Sequence, residues 1–231
     1  MKDKTYRLIK KKGPPAAIHQ LNRMDDELRA LITYDEIIRD LYWNDKDLPA
    51  AIALAQAAIQ HGLTQAELTD NPELAFELRA KVKTIAYNLA SFTWPGWNEP
   101  GITINTEQTA IGLDAAKTNL DMAVKLNRDA LPMAYAHWVL GAQHIAAKDL
   151  PTAKISFTQS AILAEEAGEH SAVLLANGFA TLADMLATSK NAQAKRQFTA
   201  IKTQFQEIEH GQDYIQQLNT AWKVFSPSGK K

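Results

Sequence analysis

The sequence predicts an all-α fold built from successive antiparallel helical hairpins, and three observations carry that prediction. Glycine and proline are sparse, at 10 and 9 of 231 residues, and Ala, Leu, Gln, Glu and Lys, which lose least on entering a helix, fill the stretches between them. Apolar residues recur at spacings of three and four, the period of a stripe down a helix, and strands have almost no candidates. Finally, KDLPAAIALAQAAI (46 to 59) and KDLPTAKISFTQSAI (148 to 162) begin with the same four residues and continue as small-residue helices, the mark of an internal repeat.

In chain order, residues 1 to 14 (MKDKTYRLIKKKGP) read as a flexible basic tail, and residues 15 to 225 as a single helical domain. From Pro15, the residues Ile18, Leu21, Met24, Leu28, Leu31 and Ile32 draw one stripe, which predicts a helix running on to about residue 43. In the two KDLP segments, Asp47 and Asp149 are placed to cap a helix N-terminus. Pro49 and Pro151 sit in the first turn, where a missing N–H costs nothing. AYNLAS (86 to 91) ends one helix, and WPGWNEPG (94 to 101) opens an inserted loop over residues 94 to 105. There Pro95-Gly96 and Pro100-Gly101 each suit the centre of a type II turn. LDAAKTNLDMAVKLN (113 to 127) resumes the helical pattern, residues 134 to 166 read as a hairpin, Gly178 lies in the next helix, and Ala194 and Phe198 lie in the one after. DYIQQLNTAWKVF (213 to 225) places Ile215, Leu218, Trp222 and Phe225 at helical spacing, a capping helix before the polar tail SPSGKK at 226 to 231.

Composition narrows the function classes. With 25 basic and 26 acidic side chains, no global field draws the chain to nucleic acid or to an anionic membrane. The absence of cysteine removes disulfides, thiolate nucleophiles and cysteine-bound metal. The basic N-terminus is followed by HQLNRMDDELRA rather than an apolar signal-peptide region. No apolar run reaches the roughly 18 residues of a membrane span. The expectation is a cytoplasmic, soluble protein with no membrane partner.

The hairpin at 134 to 166, AYAHWVLGAQHIAAKDLPTAKISFTQSAILAEE, resembles the tetratricopeptide repeat of about 34 residues. Leu140-Gly141 stands at the Leu-Gly of the first helix, and Ala153 and Phe157 at the Ala and Phe of the second. His137 and His144 stand at the Trp and Tyr positions, with Trp138 beside the former. Further copies are marked by Tyr42 with Ala51, by Leu89-Ala90 with Ala116 and Leu120, and by Gly178 with Ala194 and Phe198. The resemblance covers roughly residues 30 to 210 and implies a right-handed array of about four hairpins, with an extra N-terminal helix and a C-terminal cap. A small residue in each second helix lets its partner approach, and a large one four positions on fills the space between neighbouring pairs.

Conventional chemistry finds little support. His137 and His144 share a helix face but lie about 10 Å apart along it, too far to hold one ion, so they read as packing or groove-lining residues. Asp25-Asp26 and Glu165-Glu166 are sequence neighbours that diverge by about 100° on a helix, which suits solvated faces better than an acid/base pair. No phosphate loop, dinucleotide turn, nucleophile elbow or HExxH occurs. In AKRQFTAIKTQF (194 to 205), Phe198, Ile201 and Phe205 form a core stripe, leaving Lys195, Arg196 and Lys202 as a solvated face. No catalytic residue, cofactor, metal or nucleic-acid partner is therefore expected.

What the resemblance implies is a concave groove, lined by the first helix of each pair, that binds a protein or peptide. In this register the groove residues are Tyr87, Asn88, Ser91, Trp94, Trp97, Tyr135 and Trp138, with Ala142 and Ile145 further along the same side. Asn88 falls where relatives contact a ligand backbone, or else it bonds a neighbouring segment. The basic residues of a carboxylate clamp have no clear equivalents. Trp97 is either a plug buried against the helices or an aromatic anchor for a partner. The alternatives are a small-ligand receptor or enzyme whose pocket is closed by residues 94 to 101, and a self-association module pairing its end faces as a homo-oligomer.

Overall fold

A computed structural model describes residues 2–188 and 191–226 and, among these, contains eleven α-helices and no strand. Helices α1 (Lys2–Lys12) and α2 (Pro14–Leu21) precede four hairpins. These are α3 (Glu27–Trp43) with α4 (Leu48–Leu68), α5 (Pro72–Phe92) with α6 (Thr106–Lys125), α7 (Ala130–Ala146) with α8 (Leu150–Glu166), and α9 (His170–Ala187) with α10 (Ala192–Phe205). Helix α11 (Gly211–Phe225) follows. Each helix from α3 to α10 packs on its sequence neighbours, and α3 also meets α5, α5 meets α7, and α7 meets α9. The odd-numbered helices thus share one layer, as in a helical array.

The two KDLP segments build the same turn. Lys46 and Lys148 adopt left-handed φ values of 55° and 64°, and the next N–H reaches back to the ending helix, Asp47 to Leu41 and Asp149 to His144, both at 2.9 Å. The aspartate side chains then cap the new helix, accepting from the N–H of Ala50 at 3.1 Å and of Thr152 at 3.3 Å. One tetrapeptide therefore stops one helix and starts another. The small positions Ala51, Ala116, Ala153 and Ala194 are all buried. A Cβ added at Gly141 would lie 2.9 Å from the Phe157 ring, so the Leu-Gly of α7 exists to admit the aromatic of α8.

Three expectations are corrected. Residues 2 to 12 are helical, not a flexible tail: Thr5 and Ile9 are buried, the Tyr6 hydroxyl donates to Asp45, and Lys2 and Lys10 pair with Asp40 at 2.8 Å and Asp45 at 2.6 Å. The basic charges complement carboxylates at the C-terminal end of α3 and its following turn, where the helix dipole also favours cations. The single helix expected over 15 to 43 is broken between α2 and α3, because Asp26 is an N-cap whose side chain accepts from the Arg29 N–H at 2.8 Å. Its neighbour Asp25 precedes the helix too, so the pair is no solvated helix face. Of the polar tail, residues 227 to 231 lie outside the described residues.

Two measurements follow from this packing. Gly141→Ala gains helix propensity worth about 1 kcal/mol, yet overpacking against Phe157 costs about 1–3 kcal/mol, so the expected result in urea unfolding is a net loss of up to about 2 kcal/mol. Burial holds the pKa values of His61, His137 and His144 below 6.5, for His144 against the opposing effect of Asp149. As the pH falls below 6.5, the unfolded chain takes up protons that the folded chain resists. Stability is therefore full above that pH and declines toward the folded pKa values, so the urea midpoint is lower at about pH 5 than at about pH 8.

Candidate functional site

The site begins where α5 ends. The buried Thr93 hydroxyl donates to the Leu89 carbonyl at 2.7 Å, and Pro95 then opens a 3-10 turn over Pro95–Trp97, closed by the Asn98 N–H on the Pro95 carbonyl at 3.0 Å. The type II turn expected at Pro95-Gly96 does not form. Glycine is needed there for space: a Cβ on Gly96 would sit 2.3 Å from the Trp94 ring. Pro100-Gly101 does fit a type II turn, with Gly101 at φ 82° and the Ile102 N–H on the Glu99 carbonyl at 3.1 Å. Lys46 pairs with Glu99 at 2.6 Å, tying the loop to the α3–α4 turn.

The two loop tryptophans have different roles. Trp94 is 1 % exposed and meets Trp138 at 5.8 Å, Phe179 at 5.7 Å and Phe225 at 6.0 Å between ring centroids. It is a core plug and does not face a groove, because rings from α7, α9 and α11 close over it. Trp97 is half-buried, edge-on to Trp94 at 4.8 Å and stacked on Trp138 at 5.8 Å with 26° between planes. Its indole N–H donates to the Ser91 carbonyl at 2.9 Å and approaches the Ser91 hydroxyl at 3.3 Å. Ser91 is thereby the anchor of Trp97.

The exposed side of Trp97 borders a cavity of about 210 Å³. Tyr87 from α5, Tyr135 and Trp138 from α7, and Tyr214 and Gln217 from α11 complete its aromatic and polar walls, with Leu175 of α9 among the rest. Burial, aided by Tyr135, pushes the Tyr87 hydroxyl up to about 12. Tyr135 is 46 % exposed, and burial, then Glu169, then Tyr214 raise its pKa. The phenols of Tyr87 and Tyr135 therefore stay neutral donors at physiological pH. Ser160 also lines the cavity, but its hydroxyl donates to the Ala134 carbonyl at 2.8 Å, so it is no poised nucleophile.

Four of the seven groove residues expected from sequence, Tyr87, Trp97, Tyr135 and Trp138, thus meet at one cavity. Asn88 points elsewhere, donating to Asp35 of α3 at 2.9 Å, and Ser91 and Trp94 lie outside the lining. Ala142 and Ile145 are buried in the core. Sequence reasoning missed Tyr214 and Gln217. They are three apart and so share a face of α11 beside the core stripe of Ile215 and Leu218, and a search for polar-aromatic pairs flanking that stripe would have found them. Among the described residues, no group of three or more His, Asp or Glu is arranged to hold a metal, and no helix is long and apolar enough to cross a membrane.

No family model and no curated protein matches this chain.

The different burial of the neighbouring rings gives an ordered set of unfolding energies. Trp94→Ala costs about 3–5 kcal/mol in urea unfolding, the range for deleting a buried large aromatic, whereas Tyr135→Ala costs within about 0.5 kcal/mol. Gly96→Ala costs about 1–3 kcal/mol by forcing the Trp94 ring aside.

Proposed function

We propose that the chain is a tetratricopeptide-like helical-repeat protein that binds a peptide or protein partner through the aromatic cavity between α5, α7, α9 and α11. The observation that carries this is the convergence of Tyr87, Trp97, Tyr135 and Trp138, drawn from separate helices and the inserted loop, on one partly open cavity. The helical pairing, the small residues at Ala51, Ala116, Ala153 and Ala194, and the Gly141–Phe157 contact support the repeat assignment. Tyrosine and tryptophan are the residues that most often dominate binding energy at protein interfaces.

Cavity size supports a side-chain anchor over a whole small molecule. At about 210 Å³ it falls below the roughly 300–1,000 Å³ of usual small-ligand sites. Its titratable side chains are the phenols of Tyr87, Tyr135 and Tyr214, with no carboxylate or histidine in the lining to act as a base beside them, and the Ser160 hydroxyl is taken up by the Ala134 carbonyl; this supports a binding role.

Panning a displayed peptide library on the immobilised full chain, with binding of selected peptides measured by calorimetry, tests the proposal. Peptides specific for the wild type are expected to lose at least about tenfold in affinity, or about 1.4 kcal/mol, for Tyr135→Ala, whose fold is retained. Equal affinity for both proteins would overturn the assignment of this cavity as the peptide site.

A further inference from the structure

We propose that the aromatic cavity takes an alkylated ammonium group, specifically the headgroup of a methylated lysine on the partner peptide, with Glu169 and Asp213 supplying the counter-charge at its rim. This rests on the cavity being the peptide site and adds the chemistry of the side chain that enters it. Five of the nine lining residues are aromatic, and the faces of indole and phenol rings carry the negative lobe of a quadrupole that attracts cations. An aliphatic anchor would be matched by aliphatic walls, yet the aliphatic side chains here are those of Leu175 and Ala172 alone.

Charge around the mouth points the same way. Glu169 directly precedes α9, three residues before the lining residue Ala172, and it acts on Tyr135 from there. Asp213 directly precedes the lining residue Tyr214 and itself lines an adjoining hollow that shares Trp97 and Gln217 with the cavity. Neither carboxylate is ion-paired among the described residues, and no Lys, Arg or His lines either hollow. An opposing charge, Lys83, lies one turn before Tyr87 on α5 outside the lining, and burial, with Arg128 nearby, disfavours its protonated form. Asp213, which lines the adjoining hollow, and Glu169, which acts on Tyr135, would repel an acidic partner. Existing cation–π contacts, such as Lys46 over Trp43 at 5.5 Å, use rings outside this cavity, so no cation of the described residues competes for its rings. Trp97 and Trp138 cover one face of each other, and Phe205 covers one face of Tyr214, which leaves their remaining faces and edges for a ligand.

The test uses the full chain and two probes of nearly equal shape, Nα-acetyl-Nε-trimethyl-lysine methylamide and its neutral analogue with carbon in place of the quaternary nitrogen. Intrinsic tryptophan fluorescence, to which Trp97 and Trp138 contribute, is titrated with each. The cationic probe is expected to bind at least about threefold tighter than the neutral one, to weaken in Glu169→Gln, and to lose its response in Tyr135→Ala, with circular dichroism confirming that both variants are folded. Equal or tighter binding of the neutral probe would overturn the cation assignment while leaving the cavity as an apolar anchor site. Binding of neither probe would also overturn it, even where library peptides still bind through Tyr135. Association with phosphatidylcholine vesicles, together with no response to the lysine probe, would reassign the cavity to a lipid headgroup and overturn the proposal as stated. Response to the cationic probe without any library peptide would support the cation site and count against a peptide as its carrier.

Discussion

The burial of one indole, that of Trp94, holds the site-bearing half of the molecule together. The residue belongs to a connection between helices, yet it is 1 % exposed because rings from α7, α9 and α11 surround it. A tryptophan buries about 150–250 Å², which at about 25 cal/mol per Å² is worth about 4–6 kcal/mol. Its indole N–H has no partner, a cost of about 1–3 kcal/mol, so burial wins. The geometry of the cavity follows from that outcome. With Trp94 fixed, the short turn can place Trp97 only where it lies, stacked on Trp138 and held by Ser91.

Apolar faces drive the helices together but slide easily, and a set of polar contacts fixes their register. Gln143 of α7 donates to the Ala90 carbonyl of α5 at 2.5 Å, Asn119 of α6 to the Lys83 carbonyl at 2.8 Å, and Ser160 of α8 to the Ala134 carbonyl at 2.8 Å. Between α3 and α5, the buried Asp35 carboxylate accepts from Asn88 and lies 3.5 Å from Lys81. Each such group would be costly to leave unpaired in a low-dielectric interior, so a slip of one helix past another carries a penalty that apolar contacts alone do not impose. All of these pins except that of Ser160 involve α5, the helix that carries Tyr87.

What was legible in the sequence was what local spacing encodes. The KDLP turns, the small-then-large pairs Ala153–Phe157 and Ala194–Phe198 and the core stripe of α11 depend on neighbours within a few residues and are found in the structure. By contrast Leu120, expected to fill the space beside Ala116, lies outside the core, and the buried side chain there is Asn119. The break before α3 was hidden because Met24 and Leu28 both pack on the core, keeping the apolar period intact across a change of direction. The docking of α1 needed Asp40 and Asp45, and the true partner of Asn88 is Asp35, 53 residues away. Tyr87, Tyr135 and Trp138 could be grouped from the repeat register, whereas the sequence leaves Trp97, in the inserted loop, open between a plug and an anchor. Tyr214 could be singled out beside the α11 stripe but not grouped with them, because the return of α11 onto α9 and the inserted loop is a tertiary event with no local code.

That return also changes how the molecule shares its stability. Where helical pairs touch only their immediate neighbours, stability is a sum of local terms, and either end can fray without disturbing the middle. Here Phe225 of α11 rests against Trp94, and α11 packs on the Pro95–Trp97 turn, so the end of the described chain is joined to its centre. Opening α11 uncovers Trp94, and loosening Trp94 frees α11. A linear stack is thereby closed into a loop of mutual support. Its second half gains or loses order as one cooperative unit, with the cavity at the seam.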